Sequence, residues 1–279
     1  MSGGAAAAAA GFADDRPAEP DAVRSRPLAG TRALVVGAAG AIGQAIARDL
    51  AAAGATVLAA DLRGATELVA GLGPGAHTSV EVDVTDLAGV QALVAGATAE
   101  GEVHAVVYAA GANTTGPIAE LDWAEYDRVM DVNLRGAFHL AQVLAGPLAA
   151  QPSPASLVLL ASTAGQRGEA GGSVYCASKF GLIGLMQSLA AELAPAGIRV
   201  NAVAPGNVDS PMLRKLAARV AMREGTDTAT VLAALAEEAA ARRLVAVEEV
   251  AAACTWLVSP AASGVTGTTV NVDAGTLSA

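Results

Sequence analysis

Short, continuously apolar runs alternate with helix-length segments from Arg32 to Val272, and few folds accommodate that order. The runs are Arg32–Val36, Ala55–Ala60, Ser79–Val82, Val103–Val107, Ser156–Leu160, Ile198–Val203 and Thr268–Val272. Helical patterns fill the gaps at Ala41–Ala53, closed by Gly54, and at Leu87–Ala99, Trp123–Ala149, Ser173–Ala194 and Val247–Val258. A strand that is apolar at successive positions is buried on both faces, which is the mark of a parallel sheet covered by helices on both sides. The expectation is an α/β fold: a single Rossmann-like domain, a doubly wound parallel sheet of about seven strands with helices on both faces. Such sheets bind ligands at the carboxyl ends of their strands. There is no second domain and no internal repeat in the pattern, and 279 residues suit one domain of this type.

Composition narrows the function classes. A formal net charge of −10 argues against nucleic acid and against anionic membrane surfaces as partners, because both need basic patches. The mean hydropathy of +0.45 comes mostly from alanine, and no uncharged run long enough to span a bilayer escapes Gly or Pro breaks. Cys176 and Cys254 form no CxxC pair, and His77, His104 and His139 show no ligand spacing, so no metal is expected. Residues 1–27 hold the alanine run Ala5–Ala10 followed by Asp14, Asp15, Arg16, Pro17 and Pro20. No basic residue precedes the run, so it reads as a disordered tail rather than a secretion signal, ahead of a domain over 28–279 in a cytoplasmic protein.

The segment Gly37-Ala-Ala-Gly40-Ala41-Ile42-Gly43 lies between the first strand and the first helix. Glycines there allow a tight turn and close approach of a pyrophosphate, and the helix N-terminus offers free N–H groups. Asp61 follows at the end of the second strand, where a carboxylate accepts the ribose hydroxyls of NAD. It repels the extra phosphate of NADP: at roughly 5 Å and a dielectric of about 20, each unit of charge opposes binding by about 3 kcal/mol. NAD is therefore expected over NADP, although Arg63 nearby partly offsets the selection.

Tyr175 and Lys179 stand at i and i+4, on one helix face. A free tyrosine has a pKa near 10, too high for proton exchange at neutral pH. An adjacent ammonium and a positive nicotinamide ring favour tyrosinate, and a drop of about 2–3 units needs roughly 3–4 kcal/mol. The expected role of Tyr175 is general acid–base.

With these residues in place, the stretch from Leu28 to Gly275 resembles the short-chain dehydrogenase/reductase superfamily in its compact single-domain branch. A family serine precedes the tyrosine by thirteen positions, and Ser162 stands there; a family asparagine lies in the long central helix, and Asn133 matches. The resemblance implies a tetrad. Ser162 polarises the substrate oxygen, Tyr175 exchanges the proton, Lys179 holds the nicotinamide ribose and lowers the tyrosine pKa, and Asn133 holds a water linking Lys179 to solvent. It also implies cofactor contacts at Leu62 beside Asp61, at Asp83 and Val84, at Ala109, Ala110 and Gly111, and at Pro205, Gly206, Val208 and Ser210. Three positions depart from the family pattern: Val36 replaces a Thr, Ala41 the middle Gly of the turn, and Tyr108-Ala109 an Asn-Asn pair. The first and third are expected to lose hydrogen bonds, and the second to crowd the pyrophosphate.

Residues 207–245 are longer than a connection needs and resemble the family's substrate lid, with Met212, Leu213 and Leu216 facing the pocket. Gln166, Arg167 and Gly168 are further candidate lining. The substrate is expected to be an apolar or mixed ketone or secondary alcohol, with Arg167 solvated rather than bound to a substrate carboxylate. The helix after Tyr175 is nearly uncharged until Glu192, which implies burial on every side and self-association as a dimer or tetramer. Two other readings remain open: an NADP-dependent 3-oxoacyl or polyketide-type ketoreductase, and a non-catalytic NAD-sensing or scaffold protein.

Overall fold

The computed structural model describes residues 26–277. The expectation of a disordered tail over 1–27 therefore falls, but for Arg26 and Pro27, outside the described residues.

Seven strands form one sheet: β1 Arg32–Val36, β2 Thr56–Asp61, β3 Thr78–Glu81, β4 Ala105–Tyr108, β5 Ala155–Leu160, β6 Ile198–Pro205 and β7 Thr269–Val272. Their spatial order is β3-β2-β1-β4-β5-β6-β7, and every pair is parallel. The order reverses between β1 and β4, which opens a crevice at their carboxyl ends. The helices are α1 Ala41–Ala52, α2 Thr66–Ala70, α3 Leu87–Ala99, α4 Trp123–Met130, α5 Gly136–Ala150, α6 Ser173–Leu193, α7 Pro211–Glu224, α8 Thr228–Glu237 and α9 Val247–Val258.

Strand alternation divides the core in two. Leu34, Val36, Val106 and Tyr108 face one side, against Leu140 and Leu144 of α5 and Leu182 and Met186 of α6. Ala33, Val35 and Val107 face the other, against Ile46 and Leu50 of α1 and Cys254 and Leu257 of α9. Both faces being covered, the strands can be apolar throughout, and each buried Leu or Val contributes roughly 1.5–3 kcal/mol.

The structure departs from the sequence expectations in two places. The segment Trp123–Ala149 is not one α-helix. A π-turn at Asp131–Arg135 separates α4 from α5. The stretch after β6 contains two helices, α7 and α8, with a small core of their own at Ala217, Ala221 and Val231. Its two ends meet in a bridge between Val208 and Val245, so residues 209–244 form an excursion tied at its root. Helix α6 with the turn after it, Ser173–Ala196, is long and apolar enough by length and composition to cross a membrane, yet it carries Lys179 buried and packs on the sheet.

Candidate active site

Four elements bring the tetrad together. Ser162 follows β5 and caps a single 3₁₀ turn, its hydroxyl accepting from the Ala164 N–H at 3.2 Å. Tyr175 and Lys179 project from the first turns of α6, and the Ser162 hydroxyl stands near enough to that of Tyr175 to lower its pKa. Lys179 is buried, with Nζ donating to the Leu160 carbonyl at the end of β5 at 2.7 Å and lying 5.7 Å from the centre of the Tyr175 ring. Asn133 sits fully buried in the π-turn.

The Asn133 amide is committed on three sides. Its Oδ1 accepts from the Ala112 N–H at 2.7 Å, and its Nδ2 donates to the Ala112 carbonyl at 2.9 Å and the Ser178 hydroxyl at 2.9 Å. Ser178 in turn donates to the Tyr175 carbonyl at 2.7 Å. Asn133 thus clamps the loop after β4 to the first turn of α6, contacts that differ in kind from the water-holding role the resemblance implies.

The electrostatics correct one expectation. Burial pushes the Tyr175 hydroxyl up to about 12; the Ser162 hydroxyl pulls it down and the charge of Glu169 pushes it further up. Burial also pulls the Lys179 ammonium down to about 8. In the chain by itself desolvation is the largest influence on Tyr175, so the lowered tyrosine pKa expected from the sequence is not a property of these side chains alone.

The glycine turn fits a dinucleotide. Gly37 has φ +85°, and a Cβ there would lie 2.3 Å from the Ala110 nitrogen; one on Gly43 would lie 2.1 Å from the Gly37 carbonyl oxygen. Both positions therefore require glycine, and they press the turn against Ala109 and Ala110. Gly40 supplies no side-chain cap to α1, which leaves that helix's first N–H groups open. Asp61 closes the turn from the side, Oδ2 accepting from the Ala39 N–H at 2.9 Å. Ala41 is the first residue of α1, and Val36 is wholly buried core. Leu62 is exposed beside Asp61, and Asp83 caps its own loop through the Thr85 N–H and hydroxyl.

A cavity of about 580 Å³ opens at the crevice. It brings together Ser162, Tyr175 and Lys179 with Ile42, Ala109, Gly111, Pro205, Gly206, Val208 and Ser210, and it reaches Arg167, Gly168, Met212, Leu213 and Leu216. Two nominated side chains point elsewhere. Gln166 donates to Asn271 Oδ1 at 2.6 Å and does not line the cavity. Val84 packs in the core against Tyr108, so any cofactor contact there is made by backbone. The sequence reading also missed lining residues: Thr114 and Thr115 after Gly111, Glu169 after Gly168, Asn207, and Arg223, Glu224 and Glu238 from the α7–α8 excursion. Thr114, Thr115 and Glu169 adjoin nominated segments; Arg223, Glu224 and Glu238 have no sequence signal at all.

The third departure also reads differently in three dimensions. Tyr108 is wholly buried, and its hydroxyl donates to the carbonyl of Val132 within the π-turn. The expected loss of a hydrogen bond at this position is a gain of another one, directed at the turn that carries Asn133.

Comparison with known proteins identifies the family. The family described as enoyl-(acyl carrier protein) reductase matches residues 37–276. Galactitol 2-dehydrogenase of Agrobacterium fabrum is 35% identical over 87% of this chain and 96% of its own. Cis-4-hydroxycyclohexanecarboxylate dehydrogenase of Sinomonas cyclohexanicum is 39% identical over 87% of this chain and 95% of its own. A crystal structure of a putative NAD(P)-dependent gluconate 5-dehydrogenase from Beutenbergia cavernae, with bound NADP at low occupancy, superposes with a TM-score of 0.81. It is 31% identical and the match covers 90% of this chain and 98% of that one. On the glycine turn, the assembled tetrad and these likenesses, the chain belongs to the short-chain dehydrogenase/reductase superfamily, among oxidoreductases of the alcohol-dehydrogenase type.

Proposed function

We propose that the protein interconverts a secondary alcohol and its ketone with NAD, using Tyr175 as the general acid–base. The observation that carries this is the juxtaposition, in the lining of one cavity, of Ser162 and Tyr175 with a buried Lys179. When bound, the dinucleotide supplies the hydride acceptor or donor. The chain supplies the proton chemistry. Ser162 holds the substrate oxygen, Tyr175 takes its proton in oxidation and returns it in reduction, and Lys179 holds positive charge beside the ring. Asn133 fixes the geometry of both segments.

The preference for NAD over NADP rests on Asp61. Its carboxylate stands at the mouth of the turn with one oxygen already taken by Ala39, so negative charge is fixed where a 2′-phosphate would approach. The NADP in the related structure makes the opposite preference the reading to beat. The test is to titrate NADH and NADPH against the protein and against Asp61→Ala. NADH should bind the wild type on the order of a hundredfold more tightly, and the variant should lose most of that ratio. Tighter NADPH binding by the wild type would overturn the assignment, and binding of neither would favour a non-catalytic protein. The reading carries with it a cytoplasmic enzyme that acts on a small molecule and associates with itself, without nucleic-acid or membrane partners.

A further inference from the structure

The cavity that holds Ser162 and Tyr175 is charged as well as apolar in its lining. Beyond Ser162 and Tyr175 its wall carries three carboxylates, Glu169, Glu224 and Glu238, and two guanidiniums, Arg167 and Arg223. None of the five forms an ion pair with a described residue, whereas seven other pairs do form among the described residues. The Glu238 carboxylate accepts one hydrogen bond, from Asn207 Nδ2 at 3.3 Å, and the Glu169 carbonyl accepts from the Gly172 N–H while its carboxylate takes part in no ion pair with a described residue. Donor and acceptor capacity of both signs therefore faces the same space as the catalytic hydroxyl.

That mixture selects by chemistry. A substrate carboxylate meets Glu169 beside the reacting centre and is repelled. A cationic substrate meets Arg167 and Arg223. A hydrocarbon alcohol leaves charged groups partly desolvated with nothing to bond. A neutral chain of hydroxyl groups satisfies both kinds at once, each hydroxyl donating to a carboxylate and accepting from a guanidinium. Resting on the alcohol-dehydrogenase reading above, we propose that the substrate is a neutral polyhydroxylated molecule, a polyol or sugar, and that Glu169 is the specificity residue that accepts from a hydroxyl adjacent to the reacting carbinol. Two further observations point the same way. Glu169 lines the same cavity as Ser162 and Tyr175, and its charge acts on the Tyr175 hydroxyl. Its own carboxyl is pushed above the ordinary range by desolvation and then by the charge of Glu238, which makes it a stronger acceptor for a hydroxyl donor.

The reading separates the chain from one of its relatives. Galactitol 2-dehydrogenase bears the name of a polyol and cis-4-hydroxycyclohexanecarboxylate dehydrogenase that of a hydroxy acid. The experiment compares galactitol, sorbitol, cyclohexanol, 1-amino-2-propanol and 4-hydroxycyclohexanecarboxylate as substrates of the full chain with NAD. Galactitol and sorbitol binding is followed in parallel by calorimetry on the NADH-loaded protein. The wild type should give a polyol the highest kcat/KM. In Glu169→Gln the ratio of polyol to cyclohexanol kcat/KM should fall about tenfold or more, and the hydroxy acid should improve relative to the polyol. A wild type that prefers the hydroxy acid, the amino alcohol or cyclohexanol, or an unchanged ratio in Glu169→Gln, overturns the inference while leaving the dehydrogenase reading intact. Polyol binding by calorimetry without NAD reduction by any alcohol overturns the dehydrogenase reading and supports the polyol site. Absence of both binding and turnover removes both.

Discussion

At the residue scale the consequential pair is Tyr175 and Lys179, each held away from its ordinary protonation equilibrium by burial. For Lys179 the folded value of about 8 lies below the unfolded value of 10.5. At pH 7 the ammonium is charged in both states, and its burial destabilises the fold by about 3 kcal/mol. Between pH 8 and 10.5 the unfolded chain binds more protons than the folded one, so this contribution makes stability rise with pH. Tyr175 has the opposite sign: its raised value favours the fold below pH 10 and that advantage is lost between 10 and 12. Urea unfolding at pH 7 and 9.5 of wild type and Lys179→Met separates the lysine from other titrating groups. The stability of the variant relative to wild type should drop by about 2 kcal/mol over that interval, while its turnover is lost. A relative stability that stays flat with pH would mean that Lys179 is not desolvated. This replacement of a buried charge also shows the conflict between stability and function at one side chain.

At the element scale the feature that shapes the site is the π-turn. Read as sequence, Trp123–Ala149 is an uninterrupted helical pattern. Neither Gly136 nor any proline before Pro147 announces the break, because its causes lie on other elements. The Tyr108 hydroxyl from β4 engages the Val132 carbonyl, and Asn133 reaches Ala112 and Ser178. Gly136 makes the arrangement possible, since a Cβ there would lie 2.5 Å from the Tyr108 hydroxyl and 2.8 Å from Val84 Cγ2. Gly136→Ala should therefore lower stability by about 1–3 kcal/mol, despite the higher helix propensity of alanine. In a Tyr108→Phe background the loss should shrink by about 1 kcal/mol, a coupling that a double-mutant cycle on urea midpoints measures. Additive losses would show that the tyrosine does not shape the turn.

At the scale of the whole molecule, the outer surface of α5 and α6 leaves an unfinished layer. Phe138 is 51% exposed and Phe180 47% exposed, on helices whose inner faces are packed on the sheet. A helix that sequence reading expects to be buried all round has, in one chain, cover on one side only. Large exposed aromatics on a flat helical pair suit a second copy of the same chain. Light scattering at micromolar concentration should therefore give the mass of a dimer or tetramer, and Phe180→Asp should shift the distribution toward monomer. A monomeric wild type would end that reading.

The sequence by itself determined the seven-strand parallel architecture and the glycine turn with Asp61 after it, because periodicity and backbone sterics act within a few residues of chain; the nomination of Ser162 rests on family resemblance, and that of Tyr175 and Lys179 on that resemblance together with their i, i+4 spacing. The sequence also contained Glu169 beside nominated residues without marking it. Tertiary structure decided the rest: that Asn133 is a clamp, that Tyr108 serves the π-turn, that Gln166 turns to Asn271, and that Glu238 joins Glu169 across the cavity. Each of these depends on which side chains meet across tens of positions of chain, and on how much water remains around them, and neither quantity is periodic in sequence.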